Sequence, residues 1–536
     1  MELVVFEQDK AYVRKALEDG TIDYPEAVSE GSETEFFQYL NNRGVVERPA
    51  RSYPLKRKKT EVPVWLYIAS DLSLRLHGMQ SFHGYPLVIR TGGMMAAFGP
   101  EVGRKAVHPE TGQVTLQCPG FNKKNRYGRQ TPCDQDWLRK MARATPAERL
   151  FHWHNQEVPR LLAGERLFAP EGIFIGDASY VFVPDNPPYE GSVVMLFDES
   201  NHPVNDKELT PEKRRRCRFR RCYKWVELIH TNEAGEFFFF VAMRLVSGNA
   251  HESPILYELV EEFLQAVGPG VMKWLVVDRG FLDGGRMAHL KTRWKVDTLC
   301  ALRSNMSVLE DAKGLLRLEN VPWQEYRPEP LSEAEPANLL LRERARHLLR
   351  KRKRKPQPAE RVVAFSDFRT WDSCSVPLTV VLTEKPDKTV WGLVSTYEEP
   401  DAVFLRDRYH LRESIEERHR QAKLFWDLTS FRSPNFNLVS HQVVFVGLTY
   451  TLLQMQLFSE NRPELNRLTR RTLRLQMLPY GNHIVVYAQG YHAFFDVPEY
   501  TEHVMTVEEP GKSRLLRKVR RIRREFLYGL HQPRGP

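Results

Sequence analysis

The sequence predicts an α/β chain whose core is interrupted by a β-rich segment, and three observations predict it. Short β-branched and aromatic runs recur between residues 171 and 247, with turn-like sequence between them. A continuous apolar run from Lys273 ends in an acid, and helical and then apolar sequence follows, as in a βαβ unit. Far downstream, after a strand-rich stretch, a charged helix precedes a long apolar one. The N-terminal region reads as mainly helical and the C-terminal region as basic.

At 536 residues the chain exceeds one ordinary domain, and 42% hydrophobic residues allow large cores. The formal charge is +10, and the cations cluster at Lys56 to Lys59, Arg214 to Arg221, Arg350 to Lys355 and Arg517 to Arg524. One such run is usually a solvated face, whereas four favour a polyanionic partner, most simply nucleic acid. The first residues carry acids and no long apolar core, so no signal peptide is expected. Val443 to Phe458 is too short for a membrane span and holds Gln454 and Gln456, so a buried helix is expected there. Six cysteines are too sparse for a disulfide scaffold and fit a reducing, cytosolic location. Cys118 with Cys133, and Cys217 with Cys222, lack the tight CxxC spacing of zinc sites.

Taken in order, residues 1–165 offer an apolar helix at Val62 to Gly78 and a Gly-rich turn from Arg90 without P-loop spacing. The basic, aromatic loop Phe121 to Gln130 suits DNA contact. Glu171 to Pro184 reads as a strand interrupted by Asp177. A carboxylate in mid-strand costs several kcal/mol to desolvate unless it is paired or metal-bound. Asp177 is therefore on an exposed face, in a salt bridge, or a metal ligand, with Asp185 and Asp198 as rivals. The segments from Cys222 and Gly235 read as a hairpin, completing three consecutive antiparallel strands. Asn249, His251 and Glu252 form a polar group just past it, and a helix is expected from Pro254 to about Ala266. Asp278 closes the apolar run, where ligands of open α/β sheets sit. The plainer role is a helix cap, for which Asp283 is better placed. Helical sequence through Trp294 and the strand from Val296 to Arg303 follow.

Roughly a hundred residues then intervene: polar and acidic sequence, a basic helix at Arg342 to Lys355, and strands at Arg361 to Phe368, Val376 to Glu384 and Lys388 to Tyr397. Trp391 within the last of these reads most simply as core.

From Tyr409 to Lys423 a helix is expected. At about 100° per residue, Arg412, Glu416 and Lys423 share one face with Tyr409 beside them. Leu411, Ile415, Ala422 and Phe425 take another face, broken only by Arg418. Ordinary i,i+4 pairing on a solvated helix is the plain alternative. The spacing YxxRxxxExxxxxxK, however, resembles the signature of a large subgroup of DDE insertion-sequence transposases, which have an RNase H-like core. The tetrapeptide Asp278 to Phe281 resembles that family at its second carboxylate, and a β-rich insertion occupies the same place. The likeness covers about Phe174 to Phe458.

This resemblance implies an RNase H-like mixed sheet, with Asp177, Asp278 and Glu416 as catalytic metal ligands. It implies that Tyr409, Arg412 and Lys423 engage DNA phosphates, and that Trp391 stacks on a flipped base. Such oxygen donors select Mg²⁺ or Mn²⁺, with two ions expected. It divides the chain into an end-binding region 1–165, core 166–304, β-rich insertion domain 305–405, core 406–460 and a basic region 461–536 for DNA contact or dimerisation. The implied activity is cut-and-paste transposition by strand cleavage and transfer. Its partners are double-stranded terminal repeats and target DNA, held by a homodimer without a membrane, in the bacterial cytoplasm at the nucleoid. A metal-dependent nuclease, and a non-catalytic DNA-binding descendant, are the alternatives.

Overall fold

The apolar runs between Ile173 and Ser395 build one ten-stranded mixed sheet. The computed structural model describes residues 7–28, 32–55, 62–85, 88, 93–98, 104–107, 114–117, 132–318, 321–327, 359–462 and 483–531. The basic runs at 56–59 and 350–355, the loop 121–130, and most of the tail between 462 and 476 lie outside those residues. The chain divides into two units, Ala147–Thr472, and Met1–Pro146 with Leu473–Pro536.

In the first unit the strands are β1 (Ile173–Val183), β2 (Val193–Phe197), β3 (Arg218–Thr231), β4 (Phe238–Ser247), β5 (Trp274–Val277), β6 (Asp297–Ala301), β7 (Gln324–Tyr326), β8 (Glu360–Phe368), β9 (Leu378–Glu384) and β10 (Val390–Ser395). Their order is β7-β8-β9-β10-β6-β5-β1-β3-β2, and β4 also pairs with β3. β1, β3 and β4 are antiparallel neighbours, whereas β5 runs parallel to both β1 and β6. All four residues of β5 are buried, as expected of a central parallel strand covered on both faces. The inserted strands β8 to β10 form a meander, and β10 joins it to β6, so the β-rich insertion lengthens the central sheet.

One glycine sets the register between the strands that matter most here. Gly172 has φ +59° and no room for a Cβ, which would sit 2.5 Å from the Val271 carbonyl oxygen. Its own carbonyl accepts the N–H groups of Lys273 and Trp274, both at 2.9 Å, and so locks the entry of β1 against that of β5.

The helices are α1 (Ala147–Gly164), α2 (Glu252–Val267), α3 (Gly284–His289), α4 (Ser307–Leu318), α5 (Ala402–His410), α6 (Ser414–Arg420) and α7 (Phe436–Ser459). α5 covers the middle of the sheet, with Leu405 and Tyr409 packed among Ile173, Val276, Leu299 and Leu393. α7 begins where Asn435 caps it, accepting the Leu438 N–H at 3.3 Å. Its 24 residues are long and apolar enough to cross a membrane, yet 83% of its most apolar stretch is buried in the protein.

The stretch Tyr409 to Lys423 departs from the single regular helix expected of it. α5 ends at His410, a 3-10 turn spans Leu411–Glu413, α6 follows, and a π turn spans Gln421–Phe425. The Ser414 hydroxyl donates to the Leu411 carbonyl, which competes with the helical bond. The Trp426 N–H reaches back five residues to the Gln421 carbonyl at 3.1 Å. Leu411, Ile415 and Ala422 still reach the core. The 100° spacing that placed four polar residues on one face does not hold across these two turns.

In the second unit, segments from both ends of the chain share one sheet, in the order Glu7–Gln8, Tyr491–Asp496, His483–Ala488, Tyr24–Val28. Val13, Leu17, Val486, Phe495 and Leu515 form its core under the helices Lys10–Glu18 and Gly511–His531. The unit also holds the expected apolar helix, observed at Val64–Leu76.

Candidate active site

Gly176 on β1 and Val277 on β5 are register partners, and Asp177 and Asp278 immediately follow them. Neighbouring strands lie about 4.8 Å apart, so the two carboxylates leave the sheet side by side. Asp278 also opens the turn Arg279–Phe281, its Oδ1 accepting the Arg279 N–H at 2.7 Å. Asp283 caps α3 by accepting the Arg286 N–H at 3.0 Å.

Glu416 lies on α6, and its charge acts on Asp177. Burial raises the Asp177 carboxyl to about 6; Arg412 and the Ala178 N–H oppose the rise, and the charges of Asp278 and Glu416 add to it. The three acids, far apart in sequence, therefore share one electrostatic environment. Glu416 itself is exposed. Asp185 and Asp198 are occupied elsewhere: Asp185 is 3.6 Å from Arg221, and Asp198 accepts the Ser200 and His202 N–H groups at 2.9 and 2.8 Å.

The cations are directed at β1. Arg412 Nη1 is 3.4 Å from Asp177 Oδ2. Burial works against the Arg412 charge, but Tyr409, Asp177 and Asp278 outweigh it and hold its pKa above the ordinary value. Lys423 Nζ donates to the Tyr180 carbonyl at 2.8 Å and to the Ser179 hydroxyl. Burial lowers the Lys423 ammonium to about 8, against the pull of Glu227 and Asp177.

Tyr409 is only 7% exposed, with the Arg412 Cζ 5.7 Å from its ring centroid. Trp391 on β10 stands half-buried between Tyr409, 6.0 Å away by ring centroids, and Arg406, whose Cζ is 5.2 Å from its ring. Its buried Nε1 has no hydrogen-bond partner among the described residues. Of the polar group beyond β4, Glu252 pairs with Lys224, and Asn249 accepts from Ser247 Oγ at 2.7 Å.

Two residues here escaped the sequence reasoning. Glu227 on β3 is the register partner of Asp177 and is fully buried; its Oε1 meets His419 Nε2 on α6. Burial and then the Asp177 charge raise the Glu227 pKa well above the carboxylate range, with Lys423 opposing. Burial, with Lys423 and Arg412, lowers that of His419 well below the ordinary imidazole value. A signal existed in the sequence, since Glu227 interrupts an apolar strand just as Asp177 does.

The acids are right in kind for an oxygen-preferring divalent ion. Asp177 and Asp278 supply an adjacent pair of donors, and the third, Glu416, is free of hydrogen bonds and ion pairs among the described residues. The arrangement stops short of a closed ligand shell: among the described residues no three acidic, His or Cys side chains are gathered tightly enough to hold an ion.

The model of the transposase DDE domain family matches residues 189–452. A transposase DDE domain is present over this part of the chain. Asp278 and Glu416 fall inside the match, as do Glu227 and His419, while Asp177 lies just before it. No curated protein matches the chain. Among solved structures, the cryo-EM structure of a piggyBac transposase synaptic complex with hairpin DNA matches at a TM-score of 0.35 and 10% identity, over 94% of this chain and 77% of that one. A score of that size is too low to transfer a fold.

Proposed function

We propose that this chain is a DNA transposase of the DDE type, in the subgroup marked by YxxRxxxExxxxxxK, that cuts and transfers the ends of an insertion sequence. The observation that carries the proposal is the strand register that sets Asp177 beside Asp278, with the charge of Glu416 on α6 acting on Asp177; Asp278 and Glu416 lie within the matched DDE domain. The order β4-β3-β1-β5-β6, three antiparallel strands and then two parallel ones, supports an RNase H-like core.

Asp177, Asp278 and Glu416 would hold Mg²⁺ or Mn²⁺, two ions in the full site. When bound, such ions would supply the charge that activates an attacking oxygen and stabilises a leaving one in an in-line displacement at phosphorus. The side chains of the protein do the positioning. Asp177 and Asp278 are fixed by strand register; Arg412 holds Asp177 in place and offers its charge to a phosphate as the carboxylate is neutralised. Tyr409 and Lys423 line the same wall, and Trp391 braces a base displaced at the cut. The partners are the terminal repeats and target DNA, brought together by a homodimer in the bacterial cytoplasm. The five-segment division, with end binding in residues 1–165 and DNA or dimer contact in 461–536, belongs to this proposal.

A second reading, a DNA-binding descendant without catalysis, is favoured by one observation: the acids do not form a closed three-ligand group among the described residues. Incubating the full chain with a labelled duplex bearing the terminal repeat that flanks its gene separates the two. Metal-dependent nicking at the repeat boundary supports the transposase. Binding of the repeat with no cleavage in Mg²⁺ or Mn²⁺ supports the descendant.

A further inference from the structure

Glu416 makes no hydrogen bond or ion pair among the described residues, so its place near Asp177 is set by the seating of α6. Two buried side chains in the following turn seat that helix. Arg418 puts its Cζ 4.2 Å from the Phe238 ring centroid and its Nη1 3.3 Å from the Tyr450 hydroxyl. His419 meets Glu227 through Nε2, with its ring 5.9 Å from that of Trp225.

Glu227 is an unusual choice for this position. It is fully buried on β3, and its Oε2 has no hydrogen-bond partner among the described residues. An apolar residue, like the flanking Val226 and Leu228, would bury without leaving an acceptor unmet. The carboxyl stands directly across from Asp177 on one strand and against the helix of Glu416 on the other side. It therefore ties α6, which carries Glu416, to β3, the strand paired with that of Asp177, through two residues 192 apart in sequence.

We propose that Glu227 and His419 are a positioning pair that fixes the rotation and depth of α6 on β3, and with them the reach of Glu416 toward Asp177 and Asp278. This rests on the metal-dependent cleavage proposed above. Neither residue touches the reacting phosphate; they act through Glu416. Partners of this kind, one layer behind the ligands, typically change metal affinity or activity by about 10–100-fold when removed.

The test compares full-length wild type with Glu227→Ala, Glu227→Gln, His419→Ala and the double alanine variant. Mn²⁺ binding is read from the EPR signal of free Mn²⁺, cleavage from the labelled repeat duplex, and folding from thermal melting. Glu227→Ala and His419→Ala are expected to weaken Mn²⁺ binding about tenfold and slow cleavage by about 10–100-fold, with metal-free duplex binding unchanged. The double variant should be no worse than either single one, as for groups that act as a unit. Gln keeps the shape and a hydrogen-bonding group toward His419, so Glu227→Gln should restore both readouts to within about threefold of wild type. If the alanine variants fail to fold, Glu227→Leu with His419→Phe fills the space with apolar groups and should melt like wild type yet bind Mn²⁺ poorly.

Wild-type Mn²⁺ binding and cleavage in a folded Glu227→Ala variant overturn the pair's role alone. So does a cleavage loss with no change in Mn²⁺ binding, or Gln as damaging as Ala. A wild-type chain that neither binds Mn²⁺ nor cleaves overturns the proposed function and the pair's role with it.

Discussion

Asp177 on β1 and Glu227 on β3 are register partners, so two carboxyl groups stand opposite each other on neighbouring strands. Their surroundings separate their roles. Asp177 opens toward Asp278, Glu416 and Arg412, while Glu227 is enclosed with His419.

Arg412 is the charge that compensates Asp177, at 3.4 Å with both side chains largely buried. Removing one partner of a buried pair leaves the other uncompensated. Arg412→Ala is expected to cost roughly 3 kcal/mol of stability and about a hundredfold in cleavage rate. Adding Asp177→Asn should recover the stability and none of the activity. Urea unfolding of the single and double variants checks this; a Arg412→Ala chain as stable as wild type would show that the pair is not compensating.

Gly172 controls the register that sets Asp177 beside Asp278. Ala there meets both a positive φ and the Val271 carbonyl oxygen at 2.5 Å. Gly172→Ala is expected to destabilise by about 1–3 kcal/mol, with cleavage falling more steeply than the folded fraction. Melting curves alongside cleavage rates per folded molecule test the two effects separately.

Among the described residues the Trp391 indole N–H has no partner, so the contribution of this side chain to folding is that of a ring. Trp391→Phe is expected to leave stability within about 1 kcal/mol of wild type. Trp391→Ala opens a cavity and should cost on the order of 3 kcal/mol. If the ring also braces a displaced base, Phe should retain most of the cleavage and Ala should lose it at equal folded fraction. A 2-aminopurine probe at the repeat end reports the displacement by its fluorescence.

His230 ties the start of β1 in place in its neutral form. Its Nδ1–H donates to the Ile173 carbonyl, and its Nε2 accepts the Ala169 N–H, both at 2.9 Å. Burial lowers its pKa to about 4, the bond to Ile173 opposing. The folded value lies below the unfolded value of about 6.5. Its contribution is therefore complete above about pH 6.5 and is lost as the pH falls toward 4, on the order of 3 kcal/mol in all. His230→Gln should be less stable than wild type at pH 7.5 and lose less on acidification. Urea midpoints from pH 7.5 to 4.5 measure both slopes; parallel slopes would remove His230 as the titrating group.

Much of the core was legible in the sequence because its strands are local signals. The runs around Asp177, Cys222, Gly235 and Lys273 became β1, β3, β4 and β5, and the mid-strand acid argument picked out Asp177. Asp278 stood out because it closes an apolar run. The same argument applied to Glu227 would have found it, but its hairpin was read only for its strand pattern. His419 could not be found in this way, since only the pairing of α6 with β3, 192 residues apart, gives it a role. The turns around Leu411 and Gln421 were equally hidden, because they depend on Ser414 bonding back and on which side chains the core admits. The union of the inserted strands with the main sheet rests on β10 pairing with β6, a long-range choice that strand propensity does not specify.

In the proposed function Asp177, Asp278 and Glu416 act as one phosphoryl-transfer site. The most direct measurement is metal-dependent cleavage of the labelled terminal-repeat duplex by wild type, Asp278→Ala and Glu416→Ala, with duplex binding followed in parallel. Nicking at the repeat boundary in Mg²⁺ or Mn²⁺ by wild type, absent from both variants while binding persists, is the expected result. Cleavage at the wild-type rate by either variant would contradict it.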